Sequence, residues 1–316
     1  MRQAETPPDS KWTGPAHAGV KSPAPIVLAN PAKRFATTAQ RLEQLAIGHP
    51  LEPWLRFMAA LAKAQHVVAT TLAPATALDS AVVNQATEAR LPPLAADGHR
   101  RDASWCRGLA VLLDSIDYDA LPPAAQDAVA QLRRSDATAL DKLADQFLRG
   151  GLTSSDAGAA VFVAAALQVY FTDSAARLTV EDLRLLEERS LCPCCGSPSV
   201  AGVITASGIT PGTRYLYCSL CSTAWNHVRA VCITCGGTRQ LLLQGIEDDP
   251  GLVKAETCGD CHTYAKLLYQ VRDMLADPYA DDLATLGLDL LIAEEGFARH
   301  APNPLLLMGD SEAVVE

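Results

Sequence analysis

Residues 191–197 read LCPCCGS and residues 231–237 read VCITCGG, and the repeat that these two stretches begin decides the fold of the chain. Each stretch contains a Cys-x-x-Cys pair, and a second such pair follows at the same distance in both cases. The second set of four cysteines lies forty residues after the first at every position, which indicates an internal duplication. The two sets are Cys192, Cys195, Cys218 and Cys221, called site 1, and Cys232, Cys235, Cys258 and Cys261, called site 2.

The spacing within each pair is that of a metal-binding turn. Two intervening residues let a tight turn direct both sulfurs at one ion, and two facing turns complete a tetrahedral site of four thiolates. Gly196 and Gly236 follow the first pair of each set, where the turn favours a residue that accepts a positive φ. The second pairs depart from this pattern, with Ser222 and His262 in that place. The sequence predicts two metal sites, each built from adjacent pairs.

Each repeat unit is expected to be a small ribbon that depends on its ion. Stretches such as VAGVITA (200–206) and RQLLLQGI (239–246) predict strands. A unit of about 40 residues buries too little core to fold alone, so the metal supplies much of its folding energy.

The spacing does not choose the ion, because four thiolates hold zinc or a single iron equally well. Three residues near the pairs have open roles. Cys194 is either a tolerated small residue or a third thiol that exchanges with its neighbours or makes the site redox-sensitive. His227 and His262 are expected to lie beside the sulfurs or on the surface, since four thiolates already complete each site.

The chain before the cysteines has a helical pattern. Hydrophobic residues make up 49% of the sequence and aromatic residues only 5%, which suits an Ala/Leu-rich helical domain. LEPWLRFMAALAKAQHVV (51–68) has apolar residues at three- and four-residue steps, and AGAAVFVAAALQVYF (157–171) predicts a buried helix. The fold class is therefore α with a small β part.

The predicted divisions are a disordered tail (1–30), a helical domain (31–189), the first ribbon (190–230), the second ribbon (231–272) and a C-terminal helix with a tail (273–316). The C-terminal helix is predicted over LATLGLDLLIAEEGF (283–297), with Asp281 and Asp282 as caps. The neighbouring acidic residues are interpreted as caps and a solvated face.

Several function classes are disfavoured by charge and motif. The net charge is −10, and residues 192–271 carry equal numbers of acidic and basic side chains, which gives no footprint for phosphates. Binding to nucleic acid, a common role of zinc ribbons, is kept as the alternative function. No nucleophile elbow, phosphate loop or dinucleotide motif is present, and a thioredoxin-like dithiol needs one pair rather than four in register.

The sequence also predicts a cytoplasmic protein. The first residues contain no apolar core of a signal peptide. The longest apolar run, at 157–167, is about half of the ~20 residues that a bilayer requires. Ten cysteines in a reducing compartment indicate metal rather than disulfides.

The duplicated region resembles the formate dehydrogenase accessory protein family FdhE. The resemblance covers residues 31–305. It is carried by CPCCGSP (192–198), RYLYCSLCSTAWNHVR (214–229), CITCGG (232–237), ETCGDCHTYAKLL (256–268), DPYADDLATLGLDLLIAEEG (277–296) and HPLEPWLRFMAALAKAQ (49–65). Cys194 departs from the family pattern, which usually has another residue there.

The resemblance implies an all-α N-terminal domain followed by two tandem rubredoxin-like modules of the zinc-ribbon type. It implies a cytoplasmic maturation factor that is not an enzyme, that binds the immature catalytic subunit of formate dehydrogenase, and that does not insert into the membrane. It also suggests iron at both sites. Four aromatic residues of the ribbons are candidate anchors for that partner, unless they pack between the ribbons: Tyr215, Tyr217, Trp225 and Tyr264.

Overall fold

A computed structural model describes residues 22–208, 210–246 and 251–306 of the chain. Seven α-helices form between residue 22, where the described part of the chain begins, and the paired cysteines. They are α1 (Pro31–Ala46), α2 (Glu52–Thr71), α3 (Ser80–Ala89), α4 (Ser104–Asp114), α5 (Pro123–Arg134), α6 (Ala137–Leu148) and α7 (Ala157–Ala176). Polar caps start several of them: Asn30 accepts from the Ala32 amide at α1, and Asp136 accepts from the Ala139 amide at α6.

Helix α7 is the centre of this region. It packs against α1, α2, α4, α5 and α6, and it is apolar on all sides because neighbours surround it. The whole of α7 is long and apolar enough to cross a membrane, although the apolar run within it, at 157–167, is too short. However, 83% of its most apolar window is buried inside the protein. This is the burial of a core helix.

The paired cysteines lie in a sheet region. Its strands are β1 (Ile26–Val27), β2 (Ser199–Ile204), β3 (Arg214–Cys218), β4 (Ala224–Asn226), β5 (Leu241–Gln244), β6 (Val253–Cys258), β7 (Thr263–Tyr269) and β8 (Ala298–Arg299). The strand order is β1-β4-β3-β2-β7-β6-β5, and β8 pairs with β7. The predicted fold class, a helical region followed by a sheet region with two four-cysteine groups, is confirmed.

The two ribbons share one sheet. Strands β2, β3 and β4 form the antiparallel first ribbon, and β5, β6 and β7 form the second. The pairing of β2 with β7 is parallel and joins the ribbons, with Gly202 opposite Leu267. A Cβ atom at Gly202 would lie 2.6 Å from the Leu267 side chain, so a larger residue here would force that leucine to move.

Two predictions about the ends of the chain were wrong. The disordered tail was expected to reach residue 30, yet Ile26 is 3% exposed and pairs with Trp225 of β4. The C-terminal helix is two helices, α8 (Ala280–Ala284) and α9 (Leu286–Glu294), with Thr285 between them. Residues 1–21 and 307–316, which carry the rest of the predicted tails, lie outside the described residues.

Three aspartates of this C-terminal part, Asp277, Asp281 and Asp282, are buried rather than solvated. Lys266 of β7 is fully buried, with its Nζ 2.6 Å from Asp289 Oδ2 and 3.3 Å from Asp282 Oδ1. Arg299 also donates to Asp282. Burial alone would raise the pKa of Asp282, but Lys266 and Arg299 lower it, so the carboxylate stays charged. The interpretation of this cluster as a solvated face, and of Asp281 and Asp282 as caps, was therefore wrong. Asp277 does act as a cap, since its Oδ1 accepts from the Tyr279 and Ala280 amides at the start of α8, at 3.0 and 2.8 Å.

A second group of the same acids ties helix α1 to helix α8. The Arg41 guanidinium donates to Asp281 at 2.7 Å and lies 2.8 Å from Asp273. Thr38, one turn earlier, donates to Asp277 at 3.0 Å. The C-terminal helices are thus fastened both to the second ribbon and to the helical region.

Replacing Lys266 should weaken the fold strongly. In Lys266→Met the buried charge of Asp282 loses a partner, which is expected to cost about 3–5 kcal/mol in the free energy of unfolding. The matched control is Lys63→Met, since Lys63 pairs with Glu43 on the surface and such pairs contribute about 1 kcal/mol or less. Urea denaturation followed by circular dichroism measures both midpoints. Equal midpoints for the two variants would contradict the assigned role of Lys266.

Candidate metal centres

The structure brings each predicted set of four cysteines together. The four sulfurs of each site lie within 4.8 Å of one another, and all ten cysteines of the chain are free. The sulfur separations are 3.5 Å for Cys192–Cys221, 3.4 Å for Cys195–Cys218, and 3.7 Å for both Cys232–Cys261 and Cys235–Cys258. A tetrahedron with metal–sulfur bonds of about 2.3 Å has edges of about 3.8 Å, whereas a disulfide is about 2.0 Å long. The sulfur geometry therefore fits an ion bound by four thiolates.

The turns repeat in backbone conformation as well as in sequence. Gly196 and Gly236 have φ values of 77° and 72°. Ser222 and His262, which replace glycine in the second pairs, have φ values of 59° and 53°. A residue in the left-handed backbone conformation thus closes each of the four turns, although residues other than glycine rarely adopt this conformation.

Backbone amides point at the sulfurs in both sites. The amides of Leu220 and Cys221 each donate to Cys218 Sγ at 3.3 Å in site 1. In site 2 the Gly237 amide donates to Cys235 Sγ at 3.4 Å. Such bonds stabilise the negative charge of the thiolates. This matters because four thiolates carry more negative charge than one bound ion can neutralise.

Site 1 is enclosed by the rest of the protein. Its four cysteines are 0–1% exposed. The amides of Leu94 and Ala96, in the segment between α3 and α4, donate to the carbonyls of Cys194 and Cys195 at 2.9 Å. On the opposite turn, Tyr279 OH donates to the Cys218 carbonyl at 3.0 Å.

Further bonds reach site 1 from the helices. The Gln168 amide of α7 donates to the Ser219 carbonyl at 2.8 Å. Arg34 of α1 donates to Ser222 Oγ at 3.1 Å, and its guanidinium lies 3.4 Å from the centre of the Tyr279 ring. Site 1 is therefore the point at which the sheet and the helical region meet.

Site 2 opens to solvent. Cys232 and Cys258 are buried, but Cys261 is half-buried and Cys235 is exposed. A groove of about 320 Å³, called the site-2 groove, runs beside the first turn of the site. Its lining includes Glu187, Glu188, Arg189, His227, Val228 and Cys235.

Cys194 lies outside the four-sulfur group of site 1. Its side chain is fully buried beside Cys221, and this contact together with burial raises the pKa of the Cys194 thiol well above its usual range. A protonated thiol is a poor metal ligand and a poor nucleophile. The position equivalent to Cys194 in the second set is Thr234, which bonds to Thr263 and His300.

Neither predicted histidine joins a sulfur group. His227 is 6% exposed, with Nδ1 3.0 Å from the Val228 carbonyl, and burial lowers its pKa to about 4, so it is neutral at pH 7. It lines the site-2 groove. His262 is exposed, and its ring lies 6.0 Å from that of Phe297.

Two threonines beside the sulfurs were missed. Thr223 Oγ1 lies 3.2 Å from Cys221 Sγ, and Thr263 Oγ1 lies 3.1 Å from Cys261 Sγ. They are forty residues apart, as the cysteines are. Comparing the two repeats beyond their cysteines would have identified them.

The four candidate aromatic anchors have different positions. Trp225 is 1% and Tyr264 is 3% exposed, so the hypothesis that they anchor a partner was wrong. Their polar atoms have internal partners, the Arg189 carbonyl for Trp225 and Asp289 for Tyr264. Tyr215 and Tyr217 line a separate groove of about 430 Å³ between α1, the N-terminal segment and the first ribbon.

Comparison with known proteins gives one consistent result. Three family models match consecutive parts of the chain: "FdhE, N-terminal" over residues 23–187, "FdhE, central domain" over 191–229 and "FdhE, C-terminal domain" over 230–306. A Protein FdhE homolog of Stutzerimonas stutzeri (strain A1501) is 38% identical over 94% of this chain and 96% of that protein. Another, of Edwardsiella ictaluri (strain 93-146), is 37% identical over 96% of this chain and 98% of that protein.

A solved structure agrees with these relatives. The crystal structure of the FdhE protein from Pseudomonas aeruginosa matches with a TM-score of 0.80 at 35% identity. The match covers 90% of this chain and 99% of that chain.

The geometry of site 1 predicts different effects for two neighbouring cysteines. Cys194→Ser should retain two ions per chain, because the Cys194 thiol lies outside the four-sulfur group. Cys195→Ser should lose one ion, because a serine hydroxyl is a poor replacement for a thiolate at a soft site. Elemental analysis of the purified variants gives the ratio of metal to protein. Loss of an ion from Cys194→Ser would show that the third thiol is a ligand.

Proposed function

This chain belongs to the FdhE family, as its sequence resemblance indicated, and on that premise we propose that it is an accessory protein for the maturation of formate dehydrogenase. In this proposal it binds the immature catalytic subunit of that enzyme and is not itself an enzyme. We place it in the cytoplasm, where its ten free cysteines would stay reduced.

The observation that carries the proposal is the opening of site 2 beside its groove. Val228, in the lining of this groove, is 66% exposed, and Glu187 and Glu188 line the same groove. An exposed apolar residue inside a polar border is a feature of protein-binding surfaces. Because β2 and β7 join both ribbons into one sheet, this surface is held rigidly, and a preorganised surface loses less entropy on binding.

The alternative, binding of nucleic acid, has less support. Two of the five basic residues of the ribbon region are buried in ion pairs, Arg214 with Glu256 and Lys266 with Asp282 and Asp289. They are therefore withdrawn from contact with phosphates, and the surface has fewer cations than the sequence suggests. A gel shift that weakens with added salt would favour this alternative.

We propose iron as the ion of both sites. The sulfur separations suit an S4 site for either iron or zinc, and the family resemblance favours iron. Bound iron would supply one-electron chemistry, with a potential that depends on hydrogen bonds to the sulfurs and on solvent exposure. Both factors are present in this chain. Backbone amides donate to sulfurs of both sites, and Cys235 of site 2 is exposed to solvent whereas the cysteines of site 1 are buried.

The ion can be identified directly. Protein purified without oxygen should contain two irons per chain and, after oxidation to the ferric state with ferricyanide, absorb visible light as rubredoxin-type sites do. Elemental analysis and a visible spectrum test this together. Two zincs per chain without iron would contradict the proposal of iron and leave the sites a structural role.

The proposed partner can be tested with a change in the lining of the groove. Val228→Asp places a charge at an apolar contact and should weaken capture of the immature catalytic subunit about tenfold, which corresponds to about 1.4 kcal/mol. The matched control is Val82→Asp, at a valine of α3 that is 50% exposed. Tagged chain is incubated with the purified catalytic subunit, and the retained subunit is quantified. Failure of the unchanged chain to retain the subunit would overturn the function; equal capture by all three would overturn only the role of the groove.

A further inference from the structure

We propose that the two metal sites have different tasks: site 1 is a closed structural centre that joins the sheet to the helices, and site 2 is a labile centre that exchanges its ion. Both sites have the same four ligands in the same repeat, so the difference must come from their surroundings. The inference uses the geometry of the sites and does not depend on the identity of the partner.

Site 1 is part of the core of the helical region. Its four cysteines lie in the same buried apolar cluster as Phe35 of α1 and Phe171 of α7. Residues from three separate segments bond to its turns: Leu94 and Ala96, Gln168 of α7, and Tyr279. Release of its ion requires these contacts to open together, and such cooperative opening has a free energy close to that of global unfolding.

Site 2 is covered on one side, where Ile233 of its first turn is 4% exposed and packs in the core cluster, and it is open at Cys235. The Gly259 amide donates to Gln240, and the Ala298 amide donates to His262, so these bonds stay within the ribbon and its C-terminal extension. The neighbouring strand β5 lies at the sheet edge, where Leu242 is 65% exposed. A reagent reaches Cys235 without any opening of the helical region.

The repeat supplies an internal comparison for this difference. Cys195 and Cys235 occupy equivalent positions, and each faces the equivalent partner, at 3.4 Å from Cys218 and 3.7 Å from Cys258. Cys195 is 1% exposed, whereas Cys235 is exposed. Since ligands and turn conformation match, the contact with the helical region is what separates the two sites. The expected difference is therefore in the rate at which each ion is released.

Metal transfer to a chelator tests the proposal. Protein loaded with two zinc ions is mixed with an excess of 4-(2-pyridylazo)resorcinol, and formation of the coloured zinc complex is followed. Release should occur in two phases of equal amplitude that differ in rate by about tenfold or more, because only the slow phase needs cooperative opening. Cys235→Ser should remove the fast phase and Cys195→Ser the slow one. A single phase that releases both ions, or loss of the slow phase in Cys235→Ser, would overturn the proposal.

A second measurement needs no variant and covers the case in which Cys195→Ser does not fold. The unchanged zinc protein is treated with N-ethylmaleimide, and modified peptides are identified by mass spectrometry at successive times. Cys235 and Cys261 should be modified about tenfold or more faster than the four cysteines of site 1, which react only from an opened state. Equal rates at the two sites would overturn the proposal.

Discussion

The contact between the first metal-binding turn and the helical region determines the arrangement of the rest of the molecule. The carbonyls of Cys194 and Cys195 accept hydrogen bonds from Leu94 and Ala96, and the sulfurs of site 1 lie in the helical core. A metal-binding turn is rigid when its ion is bound, so this contact sets the orientation of the first ribbon on the helices. The parallel pairing of β2 with β7 then sets the orientation of the second ribbon on the first.

The C-terminal part completes this arrangement through buried charge. Lys266 lies on β7, and its carboxylate partners lie on α8 and α9, so the ion pairs position these helices against the sheet. Arg41 makes an equivalent connection from α1 to Asp281. A buried charge without its partner is costly, so alternative packings of the C-terminal helices are strongly disfavoured. Apolar contacts, which are non-directional, would specify the packing less sharply.

The sequence was informative where the physical signal is local or periodic. The forty-residue register separated Cys192 and Cys195 from Cys194, and the structure places these three as that register indicates. Helical periodicity located α2, because one buried face leaves a repeating pattern, whereas a long apolar run located α7, which is buried on all sides. The short strand β1 has no such pattern: two residues are too few to show a period, and their partner in β4 is distant in sequence.

Burial of charge was not predictable for a related reason. Asp282 at the start of a helical pattern looks the same whether it caps the helix or pairs with Lys266, sixteen residues earlier on a strand. The second possibility depends on how β7 and α8 pack, which is a tertiary property. The exposure of Cys235 is of the same kind, since its local sequence and turn match those of Cys195.

A duplicated metal site allows its two copies to acquire different properties without a change of ligands. In a single S4 site, a structural role favours complete burial, whereas exchange or reaction with another molecule requires an accessible sulfur. One site cannot satisfy both demands. In this chain the two demands fall on different sites because the surroundings of the sites differ. The helical region covers site 1, while site 2 lies toward the other end of the shared sheet with Cys235 at the surface. Because β2 and β7 are paired in one sheet, the stability gained at the closed site supports the geometry of the open one.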